Sequence, residues 1–134
     1  MVFDCEVRMT QARALRLNPK QWAFVGDTVY DLFLRTWVLT HTDYPLPKMH
    51  KICVEHVSCR AQAQVLERIE PLLTDQEKDI LRRSRKVRTH TSHKNADPLD
   101  YAKATSLEAL FGFLYLTGQD VRMEALMAEI LKEE

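Results

Sequence analysis

An all-α fold is predicted by three features of this sequence: only three glycines and five prolines in 134 residues, 46% hydrophobic residues, and apolar side chains that recur at helical spacing. So few turn-forming residues leave little room for the reversals of a sandwich or barrel. At 15.7 kDa the chain fits one domain, 1–134, that can bury a core without disulfide or metal staples. The pattern divides into about six to seven helices.

Asn18-Pro19 reads as an N-cap with proline in the first turn. Trp22, Phe24, Val25, Val29, Leu32, Phe33 and Val38 then continue a helix that is apolar over most of its circumference. The two prolines between His41 and Pro47 predict a loop, and a shorter helix follows. Ser58 is placed to cap a helix through Ala61, Val65, Leu66 and Ile69, while Thr74 and Glu77 form a capping-box pattern for the next. That helix ends in basic residues, and from Arg82 to Pro98 the hydrophobic period fades into an exposed basic loop carrying Arg82, Arg83, Arg85, Lys86, Arg88 and Lys94. A strong helical pattern returns from Leu99 to Leu116, Gly118 stands where a C-terminal cap belongs, and Val121 to Leu131 gives a final amphipathic helix.

The formal net charge is zero, so the whole-molecule field gives no reason to expect nucleic acid or an anionic membrane, and any binding signal is local. Three cysteines without a Cys-x-x-Cys pair argue against a disulfide framework and for a reducing compartment. No secretory apolar region precedes them, and charges interrupt every apolar run before the roughly 20 residues of a membrane helix, so a soluble protein with no membrane partner is expected.

Asp27 and Asp31 lie one turn apart on one helix face. Glu108 interrupts the apolar run from Ala104 to Leu116, where an acid buried alone costs several kilocalories. Magnesium bridging Asp27 and Glu108 would satisfy both carboxylates and keep waters for hydrolysis. Solvation or pairing with arginine is the plainer alternative. Gly26 and Gly112, each costing about 1 kcal/mol in a helix, point to close helix contact or ligand approach beside these acids.

His50, Cys53, His56 and Cys59 are all zinc-ligand types at steps of three. On one helix such steps rotate by about 60° each, so the four cannot converge unless the helix breaks near Ser58. Tyr30, Trp37, Tyr44, Tyr101 and Tyr115 suit packing better than base stacking. Trp22, Trp37 and the apolar residues around Phe33 exceed the needs of one small core, which predicts a symmetric dimer contact.

The segment Phe24-Val25-Gly26-Asp27-Thr28-Val29-Tyr30-Asp31-Leu32 resembles the signature helix of the ribonuclease III family, whose Gly-Asp pair carries a catalytic aspartate. Leu107 to Leu116 is similar to that family's second metal-binding helix, centred on a catalytic glutamate at Glu108. Lys94-Asn95-Ala96-Asp97-Pro98 and the stretch from Val57-Ser58 to Ala61-Gln62-Ala63 resemble the Mini-ribonuclease III branch. Full-length ribonuclease III has acids at the positions of Ala23 and Thr105; the Mini branch shows the same thinning, which leaves Asp27 and Glu108 as the implied ligands and Asp31 as a weaker, water-mediated one.

The resemblance implies a ribonuclease III-like endonuclease fold and a homodimer that cuts both strands of double-stranded or structured RNA with Mg2+, leaving 5′-phosphate and 3′-hydroxyl ends. It further implies a role in maturing 23S-type precursor ribosomal RNA, in the cytoplasm or, for a plant or algal source, the plastid stroma. No separate RNA-binding domain is expected in 134 residues, so Arg82, Arg83, Arg85, Lys86, Arg88 and Lys94 are the expected phosphate contacts, with Lys103 a further candidate near the scissile phosphate. The rivals are a silent RNA-binding module, against which the retention of Asp27 and Glu108 speaks, and a helical protein-interaction domain.

Overall fold

The structure is a computed structural model that describes residues 8–85 and 97–132. Seven α-helices and no strand occur among these residues: α1 (Gln11–Leu15), α2 (Pro19–His41), α3 (Leu46–His56), α4 (Cys59–Ile69), α5 (Asp75–Arg85), α6 (Pro98–Leu116) and α7 (Asp120–Ile130). The expected all-α class is found, with α1 as an added short helix.

Helix starts follow from local side-chain chemistry. Asn18 accepts the Lys20 N–H at 2.9 Å while its own N–H donates to Gln21. Ser58 accepts from the Ala61 N–H at 3.1 Å, and Thr74 and Glu77 exchange the two bonds of a capping box. Asp97 caps α6 through the Leu99 N–H, and Gly118 ends that helix at φ 73. Two boundaries differ from the sequence expectation. Leu46 and Pro47 open α3 instead of closing the loop, since proline in a first turn forgoes no intrahelical bond. Arg82, Arg83 and Arg85 are helical, because Ile80, Leu81 and Ser84 of the same turns are buried and arginine suits a helix C-terminus. Lys86, Arg88 and Lys94 lie outside the described residues.

The centre of the molecule is α6. It packs against α2, α4 and α5, with smaller contacts to α7, and its Leu107, Leu110, Phe111 and Leu114 have no exposed surface. Trp22 is fully buried too, donating its indole N–H to Ala14 at 2.8 Å and meeting Phe113 edge-on. This overturns the expectation that Trp22 contributes to a dimer contact: its surface is consumed within the chain. Phe33 and Trp37 remain half-buried, Trp37 stacking on His41. Three tyrosines are also engaged within the chain, Tyr30 edge-on to Phe111, Tyr44 under Lys48, and Tyr115 under Arg8.

Two ion pairs fasten the periphery. Arg122 of α7 grips Glu77 of α5 with two bonds of 2.8 Å, and Arg8 holds Asp120 and the Tyr115 carbonyl. Burial pushes the Glu77 carboxyl up, but Arg122 and the Thr74 cap outweigh it and hold it below its usual range. No helix among the described residues is long and apolar enough to cross a membrane.

The α2–α6 contact is one of backbone on backbone. A Cβ on Gly26 would lie 1.6 Å from the Glu108 carbonyl oxygen, and one on Gly112 would lie 1.9 Å from that of Trp22. Neither obstacle is a flexible side chain, so alanine can be admitted only by separating the helices. Gly112→Ala should therefore destabilise the protein by about 3 kcal/mol or more, despite alanine's better helix propensity. Chemical denaturation checks this, and a loss below about 1 kcal/mol would mean that the helices are not in such close contact.

Candidate active site

Close helix approach determines which side chains meet. Asp27 follows Gly26 on α2, and Glu108 stands one turn before Gly112 on α6, so the contact that excludes Cβ atoms brings their carboxyl groups together. The two carboxyl groups come within hydrogen-bonding reach, an arrangement that a proton on Glu108 favours. Burial, followed by the hydrogen bond and negative charge of Asp27, pushes the Glu108 carboxyl up to about 8. A third helix acts in the opposite direction: the buried amide of Gln62 on α4 favours the charged form of Glu108.

Asp27 is exposed and Glu108 half-buried, so the pair has an outer and an inner member. Beneath them Tyr30 is buried, its hydroxyl without a hydrogen-bond partner among the described residues, and burial and the Glu108 charge both disfavour its phenolate. Two hard oxygen donors whose mutual repulsion is relieved only by a proton make a fitting place for a divalent cation, which would relieve it in the proton's stead. Among the described residues no three His, Cys, Asp or Glu side chains gather to hold a metal, so water would complete the shell of an ion on Asp27 and Glu108.

Other candidates are placed elsewhere. Asp31, one turn beyond Asp27, pairs with Arg35 at 3.0 Å. Lys103 pairs with Glu67 of α4. Arg82 pairs with Asp79, and Arg85 with Glu70 at 3.3 Å, whereas Arg83 turns inward, over the Trp22 ring and bonded to the Leu15 carbonyl. The helix break at Ser58 exists, yet the four zinc-ligand types do not converge: His56 binds the Ile52 carbonyl, Cys53 is buried and His50 is exposed. Gln62 was not singled out from the sequence as a site residue. Its signal was a polar residue in the buried stripe Gln62, Leu66, Ile69 of α4.

Comparison with known proteins bears on the family and the fold. Residues 20–119 match the family model described as the ribonuclease III domain. The Mini-ribonuclease 3 of Thermoanaerobacter sp. is 39% identical over 119 residues, covering 89% of this chain and 84% of that protein. The Staphylococcus aureus Mini-ribonuclease 3 is 39% identical over 117 residues, covering 86% and 87%. A crystal structure of a Fusobacterium nucleatum protein shares the fold, with a TM-score of 0.76 at 23% identity over 93% of this chain and 98% of that one.

The raised proton affinity of Glu108 gives a signed expectation for the metal-free protein. Its folded pKa lies above the unfolded one, so its stabilising contribution is present at low pH and is lost as pH rises through the interval up to about 8. Glu108→Gln removes that loss. Thermal unfolding in a chelator should show the wild type weakening from about pH 5 to about pH 8 while Glu108→Gln stays flatter and overtakes it. Parallel profiles would contradict the shared-proton geometry.

Proposed function

The chain belongs to the ribonuclease III family of endonucleases, and we propose that it hydrolyses phosphodiester bonds of double-stranded RNA using magnesium held by Asp27 and Glu108. The observation that carries this reading is the Asp27–Glu108 carboxyl pair, within hydrogen-bonding reach across the Gly26–Gly112 contact. Magnesium, when bound, supplies positive charge against the charge developing on the phosphate and activates water for attack. Asp27, as the exposed member, faces the side from which a phosphate arrives; Glu108 gives up the proton it shares with Asp27 so that both carboxylates become available. No serine, cysteine or histidine nucleophile is required, because water is the attacking group.

Affinity for the duplex is assigned to cations on and beyond α5. Among the described residues Arg82 and Arg85 pair with surface carboxylates, and pairs of that kind contribute about 0–1 kcal/mol, so a phosphate can displace the acid. Lys86, Arg88 and Lys94 complete the proposed set. Arg83 is the weakest member, since its guanidinium is committed to Trp22 and Leu15. A homodimer is supported by exposed Phe24, Leu32 and Leu39, which fall within an arc of about 80° on α2. Precursor ribosomal RNA of the 23S type is the proposed substrate and the cytoplasm the proposed compartment; both rest on family membership.

The deciding experiment is cleavage of a labelled RNA duplex at low salt with magnesium, comparing wild type with Asp27→Asn. Wild type should cut both strands with a stagger, and the variant should bind the duplex but lose at least about a hundredfold in rate. Binding without cutting by wild type would replace the nuclease by an RNA-binding module.

A further inference from the structure

A cleft of about 360 Å³ lies between the C-terminal half of α2 and α7. Its floor is apolar. Phe33 and Trp37 are half-buried and Met127 is fully buried, while Thr36 and Thr40 return their hydroxyls to the Leu32 and Thr36 carbonyls at 2.7 and 2.8 Å and so turn methyl groups to the space. The Trp37 ring is held in place: His41 stacks on it at 3.5 Å, with Nδ1 2.9 Å from the Thr40 hydroxyl and 3.1 Å from the Trp37 carbonyl. Exposed Glu124 of α7 is the one acid of the lining, and among the described residues it pairs with no cation. With 3.6 residues per turn, the α2 side of this cleft lies about 130° around the helix from the Phe24, Leu32 and Leu39 arc, and as far from Asp27. It is therefore separate from both the proposed dimer contact and the acidic pair.

The same chain shows what an aromatic ring and a carboxylate hold together. Arg8 lies over the Tyr115 ring at 4.1 Å and donates bonds of 2.7 and 2.8 Å to the two Asp120 carboxylate oxygens. The ring attracts the cation by its quadrupole, and the acid receives the planar fork in two charge-assisted bonds. Trp37 and Glu124 offer that combination in the cleft, beside apolar walls that suit the aliphatic stem of an arginine. Glu124 at the same time opposes the phosphates of a nucleic acid, so the charge of the cleft selects a cationic protein segment. We propose that the Trp37–Glu124 cleft is a docking site for an arginine of a basic segment of another protein, with the guanidinium at the Trp37 ring and the Glu124 carboxylate and the stem against Phe33 and Met127.

The test is a titration of the 15N-labelled full chain, at low salt and pH 8, with a short end-blocked peptide that carries one arginine between two leucines. It is read at the Trp37 indole N–H, with the fully buried Trp22 indole as the internal reference. The Trp37 resonance should move with a Kd of about 1 mM or below while that of Trp22 stays in place. Glu124→Gln changes an exposed side chain and leaves the core untouched. It should weaken binding at least about fivefold, and so should a peptide with citrulline for arginine, which keeps the shape and removes the charge. A Trp37 resonance that stays still up to about 10 mM peptide would overturn the proposal, as would equal binding by Glu124→Gln and by the citrulline peptide. Two further results would also overturn it. Movement of the Trp37 resonance with RNA but not with the peptide would assign the cleft to nucleic acid, and movement on raising the protein concentration alone would assign it to a second copy of the chain.

Discussion

Contact between the backbones of α2 and α6 is the constraint on which the rest of the structure depends. Gly26 and Gly112 are reciprocal, each opposed by carbonyl or amide atoms of the other helix. Side-chain packing alone normally keeps helix axes about 8–10 Å apart. Removing two Cβ atoms lets the carboxyl groups of Asp27 and Glu108 meet by the placement of main chain, not by stretched side chains. Two edge-on aromatic pairs join the same helices, Trp22 with Phe113 and Tyr30 with Phe111, and resist both sliding and rotation. The flanking helices α4 and α5 then cover α6, and only through that covering does Gln62 reach Glu108.

Such an arrangement works against stability at its own centre. Two glycines sit inside long helices, two acids face each other, and a tyrosine hydroxyl is buried without a partner among the described residues. Each feature is unfavourable by an amount that single substitutions ordinarily reveal. The compensation lies elsewhere, in the buried apolar run of α6 from Ala109 to Leu114, in the helix caps, and in the Arg122–Glu77 and Arg8–Asp120 pairs that tie the ends down. Concentrating unfavourable local choices in one place is the pattern expected of a functional site.

The divide between legible and illegible features has a physical origin. Helix starts were readable at Asn18, Ser58 and Thr74, because the capping side chain is local and its partner lies within three residues. Helix ends were readable only where a local signal marks them: α6 stops at Leu116 before Gly118, as expected, whereas α5 runs on to Arg85 because tertiary packing buries Ser84 and draws Arg83 onto Trp22. Asp27 and Glu108 were visible as acids in apolar helices beside glycines. That they meet is a property of α2–α6 packing. Trp22 was misread as surplus surface because composition cannot tell that an indole N–H will find the Ala14 carbonyl. Gln62 was hidden for a related reason: a lone glutamine acquires meaning only when its partner, 46 positions away in the sequence, is known.

The two carboxylates are unequal, and the inequality is informative. Asp27 is exposed, whereas Glu108 is half-buried and carries the raised proton affinity. A symmetric, fully exposed pair would stay ionised and lose little by doing so; a fully buried pair would retain its proton against a cation. An outer acid of ordinary exposure with an inner acid that prefers a proton lies between these limits. The inner acid rewards the arrival of positive charge, because a cation removes the repulsion that the proton had been relieving, and the outer acid keeps the pair reachable from solvent.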